Sequence, residues 1–175
     1  ASTPSTSACT TGTRCDWRAG FVTPAYVHVR PGEAMPDLGP EPYLLLLVAE
    51  HSVEQGWRND LSDTLVATGC LYFCAWGVDC SIWHDCVDGA VLQKFDFEEE
   101  PDEESVWTTW HENEPLEGAM WFAHHCASHP HVALKRSYIL HLAESADAER
   151  MLARYDAAIH APLDEEGNAP WERDS

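Results

Sequence analysis

The chain has 175 residues, with 30 Asp and Glu against 10 Lys and Arg and a formal charge of −20 at neutral pH. That surplus argues against a nucleic-acid partner, because binding a phosphate backbone needs Lys and Arg to displace counterions. No apolar run approaches the ~18 residues of a membrane-spanning helix, and a domain of this length buries roughly 70% of its unfolded surface, so its core needs neither disulfide nor metal.

Residues 1–41 read as a flexible lead-in. The first twenty are rich in Ser and Thr, Tyr26–Arg30 has the pattern of a short strand, and Pro31, Pro36, Pro40 and Pro42 mark turns. Of the seven cysteines, only Cys9 and Cys15 lie where a loop staple fits. The others fall inside periodic segments, as buried thiols of a reducing compartment do, so the expected location is the cytoplasm.

A compact α/β domain is expected over 42–161. Tyr43–Ala49 (YLLLLVA) is a continuous apolar run of the kind found in a strand buried on both faces. Ser52-Val-Glu-Gln55 has the form of a capping box, with Val53, Trp57, Leu61 and Leu65 at helical spacing and Gly69 as the stop. The unit then recurs. Strands are expected at Cys70–Trp76, Ser105–Trp110 and Ser137–Ala143, and helices at Ser81–Lys94, Pro115–Ser128 and Ala146–Ile159, the last capped by Ser145. Residues 162–175 read as an acidic disordered tail. Acid is unevenly spread: residues 1–88 sum to −7 and 89–175 to −13, densest in Glu98-Glu-Glu-Pro-Asp-Glu-Glu104.

Strands alternating with helices predict parallel pairing and a three-layer α/β sandwich, flavodoxin-like or Rossmann-like, with a mostly parallel sheet of four or five strands. Ligands of such sheets bind beyond the carboxyl ends of the strands, where the strand order reverses. Counting strands from Tyr43–Ala49, an order of 2-1-3-4 sets Glu50 and His51 against His111 and Glu112 at that point. Asp79 and Glu144 lie on the same rim. As ligand-binding candidates this gives Glu50, His51, Trp76, Trp110 and Glu144, the two indoles being placed to stack a planar molecule. The bland alternative is that Asp79, Ser81, Asn113 and Ser145 merely cap helices.

Cys80 sits in the first turn of a helix that follows a strand, where free N–H groups favour a thiolate. It is a candidate nucleophile, with His111 or His51 as base and Glu112 or Asp79 to orient it. The neighbouring acids oppose this by raising a thiol pKa. Metal binding finds less support. Cys70 and Cys74 are expected on one strand face, ~13 Å apart, too far to share an ion. His125 and His129, expected one turn apart on a shared helix face, are weak candidates, and no cofactor is expected. The sequence has no Gly-x-Gly-x-x-Gly, Walker-type or Gly-x-Ser-x-Gly pattern.

Two stretches, WGVDCSIWHDCVD at 76–88 and TTWHENEPLEGAMWFAHHCASHP at 108–130, with YILHLAE at 138–144, resemble an uncharacterised bacterial family known only as a domain of unknown function. The resemblance spans about 42–145 and implies a compact α/β domain, with no catalytic residue carried over. The expected function is that of an acidic binding domain, of inhibitor or accessory type, for a basic protein partner. A small enzyme using Cys80 or His111 and Glu112, and a ligand sensor built on Trp76 or Trp110, are the alternatives.

Overall fold

A computed structural model describes residues 23–164, 167 and 169–171. The expectations for a Cys9–Cys15 staple and for the Ser/Thr-rich start lie outside the described residues. Five strands and four helices follow in the order β1 (Ala25–Val29), β2 (Tyr43–Ala49), α1 (Gln55–Ala67), β3 (Cys70–Gly77), α2 (Cys80–Lys94), β4 (Trp107–His111), α3 (Leu116–His125), β5 (Arg136–Leu142) and α4 (Ala148–Ile159). All four strand pairings are parallel, and helices cover both faces, as expected of a three-layer sandwich.

The strand order is β1-β5-β2-β3-β4. Among the four strands counted from Tyr43, the last stands beside the first, and the expected 2-1-3-4 order is incorrect. The reason lies in strand composition. All seven residues of β2 are buried, so it needs a strand on each side and apolar cover on each face. β4, WTTWH, buries only His111 and therefore suits an edge. From β2 the chain steps through α1 to β3 and through α2 to β4. It then reverses across the sheet to β5, and keeping one crossover hand while reversing direction puts α3 on the opposite face, where α4, after the last described strand, packs beside it.

Alternation along the strands divides the core in two. Leu45, Leu47 and Phe73 pack with Leu65 and Trp83 under α1 and α2. Leu44, Leu46 and Cys74 pack with Met120, Ile139 and Met151 under α3 and α4. A register shift at the start of β3, where Tyr43 and Leu44 stand opposite Cys70 and Tyr72, sends Cys70 to the first core and Cys74 to the second. The expectation that both thiols share a face is thereby corrected. They are separated by the sheet itself, and burial pushes the Cys74 thiol up to about 12.

Other boundaries shift for local reasons. Glu54, not Ser52, caps α1 by accepting from Trp57 N–H at 3.4 Å, while Ser52 donates to Asp79 at 2.6 Å. Asp147, not Ser145, caps α4 by accepting from Arg150 N–H at 3.2 Å. The packed chain also starts before Pro42: β1 pairs along its whole length with β5, and Leu38 is buried. At the other end Ala169 is buried and Trp171 packs against the α3 and α4 core, so the chain is in contact with the domain beyond residue 162.

One turn admits only glycine. Gly77 closes β3 with φ +97°, and a Cβ there would lie 2.2 Å from the Ala49 carbonyl oxygen, the group that accepts from Val78 N–H at 2.8 Å. Gly77→Ala is expected to destabilise the fold by about 2–4 kcal/mol. Gly89→Ala, on α2 with nothing within 4 Å of the new methyl, is expected to gain ~0.5–1 kcal/mol. Urea unfolding of both variants checks the pair, and equal stabilities would contradict it.

Candidate functional site

The strand order moves the crossing point to the gap between β2 and β5, whose onward helices α1 and α4 lie on opposite faces. Glu50 ends β2 at this gap, as expected, but it meets β5 rather than His111 and Glu112, which end the edge strand. A buried polar chain lies beneath it. Asp147 N–H donates to Tyr26 Oη at 2.9 Å, and Tyr26 Oη lies 2.7 Å from His141 Nδ1. His141 Nε2 lies 3.0 Å from Glu50 Oε1 but without hydrogen-bond geometry. His141 is 1% exposed, and Arg150 lies 3.6 Å from the same carboxylate. This cluster ties β1, β2, β5 and α4 together and leaves Glu50 and Arg150 facing solvent. His51 and Glu144 are exposed on the same rim, and the Glu144 carbonyl accepts from Arg30 Nε at 3.1 Å.

The concave part of the rim lies one strand further along. A cavity of about 350 Å³ opens between the ends of β3 and β4, lined by Trp76, Asp79, Cys80, His111, Glu112 and Glu114 among others. Five sequence candidates thus share one crevice. Asp79 adopts left-handed backbone, φ 58°, at the head of α2 and makes no side-chain cap bond. Its carboxylate instead accepts from Ser52 and lies 3.7 Å from Arg58, a guanidinium buried against the Trp83 ring. Trp76 Nε1 donates to the Glu114 carbonyl at 2.8 Å, which anchors the β4–α3 loop across the crevice.

Cys80 is buried at the first residue of α2. Burial raises its thiol pKa most, and the Glu112 carboxylate raises it further; the backbone N–H groups of Ser81, Cys80 and His111 pull the other way and do not prevail. The thiol is therefore protonated at neutral pH. The His111 imidazole stacks on Phe122 of α3, with Nδ1 2.7 Å from Glu114 Oε1 and Nε2 3.4 Å from Thr109 Oγ1. Among the described residues no hydrogen bond joins it to Cys80. The arrangement pairs His111 with Glu114, a residue three positions on that spacing alone could have suggested. Trp110 stands outside the crevice, its ring 4.5 Å from that of His84 on α2.

Among the described residues no group of three or more His, Cys, Asp or Glu is arranged to hold a metal. α3 ends at His125 with Cys126 as its C-cap, so His129 lies beyond the helix and the expected shared face of His125 and His129 is corrected. His125 stacks on Trp121 and its Nε2 donates to the Ile159 carbonyl at 3.1 Å. His129 Nε2 donates to the Ser105 carbonyl at 3.0 Å, and its Nδ1 accepts from His131 N–H and Val132 N–H. Both imidazoles pin the chain after α3. The buried polar groups that sequence reasoning missed are Arg58, Ser62 and His141, the last a lone imidazole inside the apolar run YILHLA.

A family model described as a domain of unknown function (DUF7684) matches residues 24–158. The match takes in β1 and most of α4, beyond the span of the sequence resemblance. No curated protein and no solved structure matches the chain.

At pH 7 iodoacetamide is expected to label Cys80 more slowly than a free peptide thiol, and Glu112→Gln, by removing the opposing charge, to speed that labelling severalfold. Mass mapping of the alkylated residue checks both; rapid selective labelling of the unaltered Cys80 would contradict the assignment. His124 gives a second prediction. Burial, then the neighbouring His125 and His160, lower its pKa from 6.5. As pH falls through about 6.5 the unfolded chain takes up this proton first, so stability is full above that pH and is lost below it. His124→Gln is expected to flatten the loss between about pH 6.5 and 5, as followed by urea unfolding at each pH.

Proposed function

Since the chain belongs to that family, we propose on the evidence of its surface that it is an acidic binding domain, taking a basic protein through the flank formed by α2, the 95–106 loop and β4. The observation that carries this reading is the company kept by the exposed apolar side chains. Leu92, Phe97, Trp107 and Trp110 are 50%, 74%, 46% and 39% exposed, and all four belong to this flank. The acid run Glu98–Glu104 leads directly into β4. Exposed indoles ringed by charge of one sign are what an interface anchor looks like before its partner arrives.

Electrostatics favours a cation on this flank. The Glu100 pKa is raised by burial and then by the like charge of Asp88. The backbone holds the loop in an uncommon shape, with Asp96 and Phe97 at φ 52° and 63°, which presents Phe97 outward instead of folding it under α2. An acidic field of this kind speeds encounter with a basic partner and makes binding salt-dependent. Described residues Cys70, Cys74, Cys80 and Cys86 are free thiols, which suits a reducing cytoplasm. No helix among the described residues is long and apolar enough to cross a membrane.

A second reading, small-molecule chemistry in the β3–β4 crevice, is favoured by one observation: Cys80, His111 and Glu112 line a single cavity. The thiol protonation argued above weighs against it.

The test is affinity capture with the unaltered chain and with Glu98→Gln/Glu99→Gln/Glu103→Gln, followed by titration of any captured protein of high isoelectric point. The expected result is a loss of about tenfold or more in affinity on neutralisation and a steep fall with salt, with unchanged melting temperature. Equal retention by both chains would overturn the proposal.

A further inference from the structure

The flank ends in an open sheet edge. β4 is the terminal strand, and among the described residues it is paired with β3 alone. An edge strand turns a row of N–H and C=O groups outward, and proteins ordinarily guard it with Lys, Pro, a bulge or a covering helix. Trp107-Thr-Thr-Trp-His111 carries neither lysine nor proline. Trp107 stands opposite Tyr72 and so faces the α3 side of the sheet; Trp110 stands opposite Ala75 and faces α2. The outward row of backbone groups is thus flanked by one partly exposed indole on each side.

The α2 side of this edge is acidic, with Lys94 as a cation at one end. His84, stacked on Trp110, has its ring nitrogens 3.2 Å from Asp85 and 3.6 Å from Asp88. Asp88 also accepts from Thr108 Oγ1 at 2.7 Å, which fixes a carboxylate beside the middle of the strand. Among the described residues none of Asp85, Asp88, Glu98, Glu99, Glu100 and Glu103 is ion-paired with lysine or arginine. The nearest such cation, Lys94, is engaged by Glu104 at 3.0 Å.

We infer that β4 is a docking edge for an extended, arginine- or lysine-rich segment of the basic partner, which adds to the sheet as a sixth strand. The inference rests on the preceding reading and gives the partner a form. Backbone bonds to β4 supply affinity without regard to sequence, and the period of two sends alternate side chains to opposite faces. Cations on the α2 face pass over Trp110 to Asp85, Asp88 and Glu100. Residues on the other face meet Trp107, where a guanidinium stacks and an apolar side chain packs. Charge alone would attract any polycation; the open edge selects one able to extend.

The probe is a blocked six-residue peptide of alternating arginine and valine, compared by calorimetry with the same peptide N-methylated at every residue, because only alternate N–H groups of an added strand face the sheet. N-methylation removes backbone donors and leaves the charge intact. The expected result is weakening of about tenfold or more on N-methylation, and of about fivefold or more for the Trp107→Thr/Trp110→Thr protein, with melting temperature held. Equal binding of the two peptides, with Asp85→Asn/Glu100→Gln still weakening both, would overturn strand addition and leave the charge-based reading standing. If neither peptide binds and the captured partner ignores the acid run, both readings fall. Sedimentation of the protein without peptide covers the remaining occupant: a dimer abolished by Trp107→Thr/Trp110→Thr would assign the edge to a second copy and overturn the proposal.

Discussion

The burial of β2 is the constraint on which the rest of the structure depends. Seven consecutive side chains out of contact with water demand two apolar layers, and their backbone groups demand a strand on each side. Five of those residues are leucine or valine, and at about 1.5–3 kcal/mol for each fully buried aliphatic side chain they outweigh any single polar contact described above. Within the sheet the charged groups are displaced to the strand ends or the edges. The crevice, the Glu50 cluster and the open face of β4 are all consequences of a centre that tolerates no charge.

That displacement gives the rim two dissimilar parts. Between β2 and β5 phenol, imidazole, carboxylate and guanidinium follow one another in close contact, with the His141 Nε2–Glu50 contact short of hydrogen-bond geometry, and the crossing point is used to hold elements together. Between β3 and β4 the groups are less fully paired. His111 has Glu114, Asp79 has Arg58 and Ser52, yet a cavity remains and a neutral thiol lines it. The unsatisfied charge lies further out, on the α2 flank, where acids face acids. The binding reading follows from that contrast.

Fold class was legible in the sequence because it depends on patterns summed over many residues. A buried run such as YLLLLVA, repeated before helical stretches, has few other ways to satisfy its backbone. Strand order was less legible, since it depends on which strand is least apolar, and β4 is distinguished only by two threonines and two tryptophans that also suit a core. Capping was misread where two polar residues competed: Ser52 was drawn off by Asp79, and Glu54 took the helix end. The rim carboxylates were found from the rule that strand ends carry sites, which depends on parallel pairing and not on order. His141 escaped because an imidazole inside an apolar run is indistinguishable from a core residue until its partners, far away in sequence, are known.

The pairing of β1 with β5 has a consequence for how the molecule is made. Tyr26 and His141 are 115 residues apart, yet one bonds the other. As the nascent chain leaves the ribosome, its earliest strand has no neighbour to join until nearly the last has emerged. The β2–β3–β4 portion can assemble in the order of synthesis, but β1 must wait, and its closure over β5 completes the sheet in a late, long-range step. Until β5 arrives, the open side of β2, whose residues are all buried in the finished sheet, is the surface that a chaperone or an unwanted neighbour would meet.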